Sequence, residues 1–307
     1  MRLVFAGTPA VAVPTLRALA AQHDIVGVVT RPDAPLGRKR VLTPSPVAEA
    51  ADELGLPVIK AARLDAEVTA QISALDAELG VIVAYGGIVR EPLLSTPAQG
   101  WINLHFSLLP RWRGAAPVQR ALIAGDTEIG VSVFRLVPAL DAGDVFAMRA
   151  VDISADATAD VALDVLAIDG ADLTRTVVAD IAAGTAVATP QAGDETLAPK
   201  LGLEDGMLDW HQPVDIIYAR YRGVTPEPGA HTTFDGGRLK ILAAAPAASD
   251  TPRLAPGELG GTKTAVLIGT ASTPLEVTRV QPAGRGAMNA ADWWRGLRDH
   301  DGLRVGS

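Results

Sequence analysis

Asn103 and His105 stand one residue apart in the apolar run Trp101–His105. That run reads as a strand, and residues two apart in a strand project from the same face. An amide and an imidazole therefore converge on one point just past a strand end. Both can donate hydrogen bonds to developing negative charge, the chemistry of an oxyanion site. A carboxylate would complete the arrangement, and Asp141 is the local choice, because Gly143 allows a tight turn in Leu140–Asp144. Taken singly, each residue also has an ordinary reading. A histidine near a strand end is more often structural, and an aspartate in a glycine-containing loop is usually a turn former. Ser107 has no base nearby in sequence, so packing or a hydrogen bond is expected of it, and no covalent enzyme intermediate is expected.

The elements that must position these residues follow from apolar patterning. Arg2–Ala6 is a short apolar run ending in Gly7, Thr8 and Pro9, a strand followed by a turn. Residues 10–21 suit an amphipathic helix, and Asp24–Thr30 a second buried strand. Residues 31–45, rich in Pro, Gly and Arg, read as a loop. Ser45 and Pro46 then form a helix start, with Ser as N-cap and Pro in the first turn. Leu56–Lys60, Leu79–Ala84 and Trp101–His105 are further strands, and residues 65–76 and 157–184 further helices. Strands alternate with helices, and their near-continuous apolar character means both faces are covered. The expectation is a Rossmann-like, doubly wound α/β domain, whose ligand sits beyond the carboxyl ends of the strands. Asn103, His105, Gly7–Pro9 and Ala84–Gly86 all fall there. Residues 185–208 lack periodicity and read as a linker. Beyond Trp210, the short runs His231–Phe234, Arg238–Leu242, Thr264–Ile268 and Leu275–Val280 predict a small C-terminal β-barrel of OB type.

Composition narrows the function classes. The chain has 307 residues, 48% of them apolar, enough for one or two cored domains. It contains no cysteine, which excludes a disulfide framework, thiolate metal sites and a Cys nucleophile. Its five histidines are scattered, so no metal is expected. No run reaches the roughly 18 apolar residues of a membrane span, and the opening apolar run is too short for a signal peptide. A cytoplasmic protein is expected. Residues 7–14 lack the Gly-x-Gly-x-x-Gly of a dinucleotide oxidoreductase. The net charge of −8 disfavours non-specific nucleic-acid binding, yet Arg31, Arg38, Lys39 and Arg40 form a local basic stripe, and Arg111, Arg113 and Arg120 a second cluster. By itself the 31–45 stripe reads as a solvated basic loop.

Asn103-x-His105-x-Ser107-Leu108-Leu109-Pro110, followed by Leu140-Asp141-x-Gly143-Asp144, resembles the 10-formyltetrahydrofolate-dependent formyltransferase family. Further similarity runs through Phe5–Pro9, Arg31–Asp33, Val83–Gly86, Arg111–Pro117, Ala198–Leu201, Asp209-Trp210 and Gln281–Met288, and it points to the members acting on methionyl-tRNA. Phe106, where relatives commonly carry Gly or Ala, Ala142 in place of a usual Thr, and Thr225–Gly229 in place of a more aromatic turn depart from the pattern. Phe106 is expected to pack in the core.

The resemblance implies a catalytic trio of Asn103, His105 and Asp141. It implies a folate pocket lined by Tyr85, Gly86, Ser107, Leu108, Leu109 and Pro110, with Leu109-Pro110 a candidate cis peptide. Arg38, Lys39 and Arg40 would contact tRNA phosphates, as would Arg285, with Arg220, Arg222, Arg238 and Lys240 as further candidates. His105 would act protonated, its pKa raised by Asp141. The cosubstrate would be 10-formyltetrahydrofolate and the partner initiator methionyl-tRNA, with the chain a monomer. The domains would be a formyltransferase catalytic domain over 1–188, a linker over 189–207 and a tRNA-binding β-barrel over 208–307. The rival acceptor is an amino-sugar nucleotide.

Overall fold

The computed structural model describes residues 1–37 and 40–306. These fall into two compact units, one of residues 1–117, 128–153 and 163–198, the other of 118–127, 154–162 and 199–307.

The first unit is built on a seven-stranded sheet. In chain order its strands, with those of two small side ladders, are β1 (Arg2–Gly7), β2 (Asp24–Thr30), β3 (Ala34–Leu36), β4 (Val41–Thr43), β5 (Val58–Lys60), β6 (Leu79–Val83), β7 (Trp101–His105), β8 (Arg113–Gly114), β9 (Ile129–Arg135), β10 (Val145–Val151) and β11 (Leu197–Ala198). The main sheet runs β10-β9-β7-β6-β1-β2-β5. From β5 to β7 all pairings are parallel, while β9 and β10 add antiparallel at one edge. Leu79–Val83 is buried throughout, as is Leu3–Gly7, the mark of a sheet covered on both faces. Helix Val13–Ala20 opens with Pro in its first turn. Helix Pro46–Glu53 begins where Ser45 Oγ accepts the Ala48 amide at 3.0 Å, as the N-cap reading expects. The same hydroxyl lies 2.6 Å from Thr30 Oγ1, fastening the helix to β2. The long helix Ala159–Ala183 lies close over β7, because Gly170 leaves no room beyond Leu104: a Cβ there would sit 2.8 Å from that side chain.

Two sequence expectations give way to structure here. Residues 31–45 are not an irregular loop but contain the antiparallel ladder β3–β4, turning at Gly37, whose carbonyl takes the Arg40 amide at 3.1 Å. Residues 185–208 are not a free linker, since β11 pairs in parallel with β8. Both pieces are too short to show an apolar period.

In the second unit, β12 (His231–Phe234), β13 (Gly237–Pro246), β14 (Leu259–Gly261), β15 (Val266–Ile268), β16 (Leu275–Pro282) and β17 (Met288–Asn289) form a curled antiparallel sheet, ordered β12-β13-β16-β15-β14, with β17 on β16. Its core joins Trp210, Leu239, Ile241, Val266, Leu275, Val277 and Trp293 to Ile217, Tyr221 and Val224 of helix Val214–Val224. That helix has no counterpart in the apolar runs singled out above.

Candidate active site

His105 is the last residue of β7 and is 6% exposed. Its ring stands nearly perpendicular to that of the buried Phe134, with centroids 6.3 Å apart. Its Nε2 lies 2.8 Å from the Trp112 carbonyl oxygen. A carbonyl only accepts, so Nε2 carries the proton, and in the neutral ring Nδ1 holds the lone pair. Nδ1 faces Asp141 Oδ2 at 3.9 Å. That is too long for a hydrogen bond but short enough to attract an imidazolium by about 4 kcal/mol at an effective dielectric of ~20. Burial works against the charged ring and prevails: His105 is held below its usual value of 6.5, with Asp141 and the Trp112 carbonyl pulling the other way. Asp141 thus pulls His105 upward, as expected, but burial sets the net direction downward. The sequence shows the carboxylate partner but not the dry surroundings that outweigh it.

Asp141 is itself held firmly. Its Oδ2 accepts the Gly114 amide at 2.8 Å, and its backbone is left-handed, with φ 45°. Gly143 can be nothing larger, because a Cβ there would stand 1.8 Å from the Arg135 carbonyl oxygen. Three of the six left-handed non-glycine residues described, Ala84, Trp112 and Asp141, surround this site. Each such conformation costs about 1–2 kcal/mol, and such strain tends to gather where function fixes the backbone.

A cleft of about 420 Å³ opens beyond the carboxyl ends of β6 and β7. Asn103, His105 and Asp141 all line it, so the structure brings the expected trio together. Asn103 is half-buried, and its side-chain amide neither donates nor accepts a hydrogen bond among the described residues, which leaves its N–H donors for a ligand. Tyr85 and Gly86 line the same cleft. The Tyr85 hydroxyl donates to the Ala61 carbonyl at 3.0 Å, and burial pushes it up from its usual pKa of 10.0. Ile88 and Leu140, both strongly exposed, add apolar lips that the sequence did not single out. Phe106 is buried as expected, but it also lines the cleft, because regular strand pairing ends at His105.

Ser107, Leu108, Leu109 and Pro110 lie outside the residues lining this cleft. The Ser107 hydroxyl donates to the Arg111 carbonyl at 2.6 Å, and Ser132 Oγ donates to the Ser107 carbonyl at 2.6 Å. Leu109 packs against Phe134 and Val145, and the Leu109-Pro110 peptide is cis. These residues shape the turn that carries Trp112.

Of the basic residues, Arg38 and Lys39 lie outside the described residues. Arg40 is exposed at the turn of the β3–β4 ladder, and Arg285 is exposed at the turn after β16. Arg31, by contrast, binds the Gly86 carbonyl and covers the Tyr85 ring at 5.6 Å. Arg120 is paired with Asp205 at 2.8 Å, and Arg220 donates to the Asp205 carbonyl at 3.1 Å. Arg222 covers the Tyr218 ring at 5.5 Å. Arg238 is exposed and Lys240 half-buried. Among the described residues, no group of three His, Asp or Glu is arranged to hold a metal, and no helix is long and apolar enough to cross a membrane.

A doubly wound unit with Asn, His and Asp at its strand ends, joined to a curled antiparallel unit, defines the class, and comparison with known proteins agrees. Residues 1–168 match the formyl transferase family and residues 200–298 its C-terminal domain, so the chain belongs to the formyl transferase family. Over 302 residues it is 60% identical to "Methionyl-tRNA formyltransferase" of Clavibacter sepedonicus, covering 98% of this chain and 99% of that one. Among solved structures it resembles an N-formyltransferase from Helicobacter canadensis in complex with folinic acid and dTDP-3-aminofucose, with a TM-score of 0.69 at 15% identity over 90% of this chain and 97% of that one. It also resembles HypX from Aquifex aeolicus, with a TM-score of 0.67 at 17% identity over 97% of this chain; here the chain spans only 48% of the larger protein.

Proposed function

We propose that the chain transfers the formyl group of 10-formyltetrahydrofolate to the α-amine of methionyl-initiator tRNA, for the start of translation in a bacterial cytoplasm, and acts as a monomer. The observation that carries the choice of acceptor is the 60% identity, end to end, with a methionyl-tRNA formyltransferase. Solved structures at 15% identity, such as the amino-sugar enzyme, share the fold alone. The cleft walls suit a flat heterocycle: Ile82, Tyr85, Ile88, Leu104, Phe106 and Leu140 supply apolar surface, and Gly86 and Gly87 close approach. Leu109 packs on Phe134, the ring that His105 meets. Arg40 and Arg285, with Arg38 and Lys39, contact tRNA phosphates.

The chemistry follows from the tautomer of His105. The incoming amine attacks the formyl carbon, and Asn103 donates to the oxygen as it gains charge. His105 Nδ1 takes the proton released by the amine, while Nε2–H keeps its bond to Trp112. Asp141 stabilises the imidazolium across 3.9 Å. Because burial disfavours that charge, His105 gives the proton up readily to the departing folate nitrogen as the old C–N bond breaks. The test is a competition: 10-formyltetrahydrofolate with methionyl-tRNA and dTDP-3-aminofucose together. Label passing to methionyl-tRNA supports the reading, and label passing only to the sugar overturns it.

A further inference from the structure

Segment 189–198 runs between the two loops that make the site, and Gln191 is its centre. Gln191 Nε2 donates to the Asp141 carbonyl at 2.8 Å and to the Gly143 carbonyl at 2.9 Å. Gln191 Oε1 accepts from Arg113 Nη2 at 2.7 Å and Nε at 3.1 Å. Both amide protons and the acceptor are thus engaged. One side of Gln191 holds the left-handed turn that aims Asp141. The other holds Arg113, whose neighbours present the Trp112 carbonyl to His105 and the Gly114 amide to Asp141. The rest of the segment fixes Gln191 in place. Thr189 exchanges two backbone hydrogen bonds with Val145, at 2.8 and 2.9 Å. Thr196 Oγ1 accepts the Trp112 amide at 2.9 Å, and Leu197-Ala198 pair with Arg113-Gly114. Glu195 caps the outer side of the Arg113 guanidinium.

We propose that Gln191 is a positioning residue for the formyl transfer, an amide clasp that sets the Asp141 carboxylate against His105 Nδ1. The proposal rests on the catalytic roles assigned above to His105 and Asp141. Both of its contacts to the Asp141 turn run through backbone carbonyls, so the clasp requires a donor at that atom. An amide meets this need. A carboxylate of the same shape does not, because its oxygens face carbonyl oxygens. The charged group facing His105 is Asp141; Arg113 and Glu195 stand behind the clasp.

The test uses the full-length enzyme with 10-formyltetrahydrofolate and methionyl-tRNA, in the variants Gln191→Ala and Gln191→Glu. The Glu variant keeps its acceptor for Arg113 and so guards against simple unfolding of the segment. The expected result is a kcat lower by about 10²-fold in both, the scale of an ångström of misplacement, with KM for either substrate within about threefold. In Gln191→Ala the acid limb of the kcat profile also moves to lower pH, because His105 loses support for its proton. Wild-type kcat in a folded Gln191→Glu enzyme overturns the proposal. So does a loss that tracks melting temperature while the acid limb stays in place, the mark of a merely structural residue. Asp141→Asn is assayed beside them. If it is as active as wild type, the assignment of the trio falls and the proposal with it. If it is impaired while the Gln191 variants are not, the proposal alone falls.

Discussion

Asp141→Asn isolates the electrostatic part of the mechanism with almost no change of shape. The amide oxygen of Asn can still accept the Gly114 amide, which Asp141 Oδ2 accepts at 2.8 Å, and the backbone clasp on the Asp141 turn is untouched. What disappears is one negative charge 3.9 Å from His105 Nδ1. At an effective dielectric of ~20 that charge steadies the imidazolium by about 4 kcal/mol, which corresponds to about 10³ in kcat if the full charge forms at the transition state. His105 already sits below its usual pKa because it is buried. Removing the carboxylate lowers it further, so the acid limb of kcat moves to lower pH while the plateau falls. The assay is steady-state formyl transfer at saturating substrates across pH, with circular dichroism to show that the variant is folded. A plateau within threefold of wild type, or an acid limb moved upward, would refute the assignment of Asp141 to the proton on His105.

Three further outcomes follow from the same geometry. Gly143→Ala forces a Cβ into the Arg135 carbonyl and should lower stability by roughly 2–3 kcal/mol in chemical denaturation; an unchanged midpoint would mean the turn is looser than described. His105 and His23 are both pushed below 6.5 by burial. Below that value the unfolded chain takes up protons the folded chain refuses, so stability present above pH 6.5 is lost as pH falls. His105→Gln should flatten that dependence, and an equally steep melting-temperature curve would contradict it. Arg40→Ala should raise KM for tRNA and reduce the magnitude of the log–log salt dependence by about one, leaving KM for the folate unchanged; an unaltered salt dependence would remove Arg40 from the tRNA contacts.

Much of this was legible in the residues. Asp24–Thr30, Trp101–His105 and His231–Phe234 were read with the bounds the structure gives, because each is a compact apolar or β-branched run bounded by turn residues. Asn103 and His105 both line the cleft, together with Leu104 and Phe106 between and beyond them. Three things were hidden, each for a physical reason. The protonation of His105 depends on a balance between desolvation and a charge 36 residues away in sequence, and burial, which only the packing of the folded chain decides, outweighs both Asp141 and the Trp112 carbonyl. Gln191 and Thr196 lie in a Pro- and Gly-rich stretch with no period to read, where pairing with the chain near residue 113 is a matter of topology. Helix Val214–Val224 mixes Arg and Tyr into its buried face, and Arg222 and Tyr221 obscure the apolar stripe.

The central claim is that this cleft moves a formyl group onto methionyl-tRNA with His105 as the base. It is tested most directly by supplying formyl-labelled 10-formyltetrahydrofolate and charged initiator tRNA to the wild-type protein and to His105→Ala, and following the label into N-formylmethionyl-tRNA. The expected result is rapid labelling by wild type and a loss of about 10²-fold or more in the variant, the scale of removing a positioned proton acceptor. No labelling by the wild type, or equal labelling by both proteins, would contradict it.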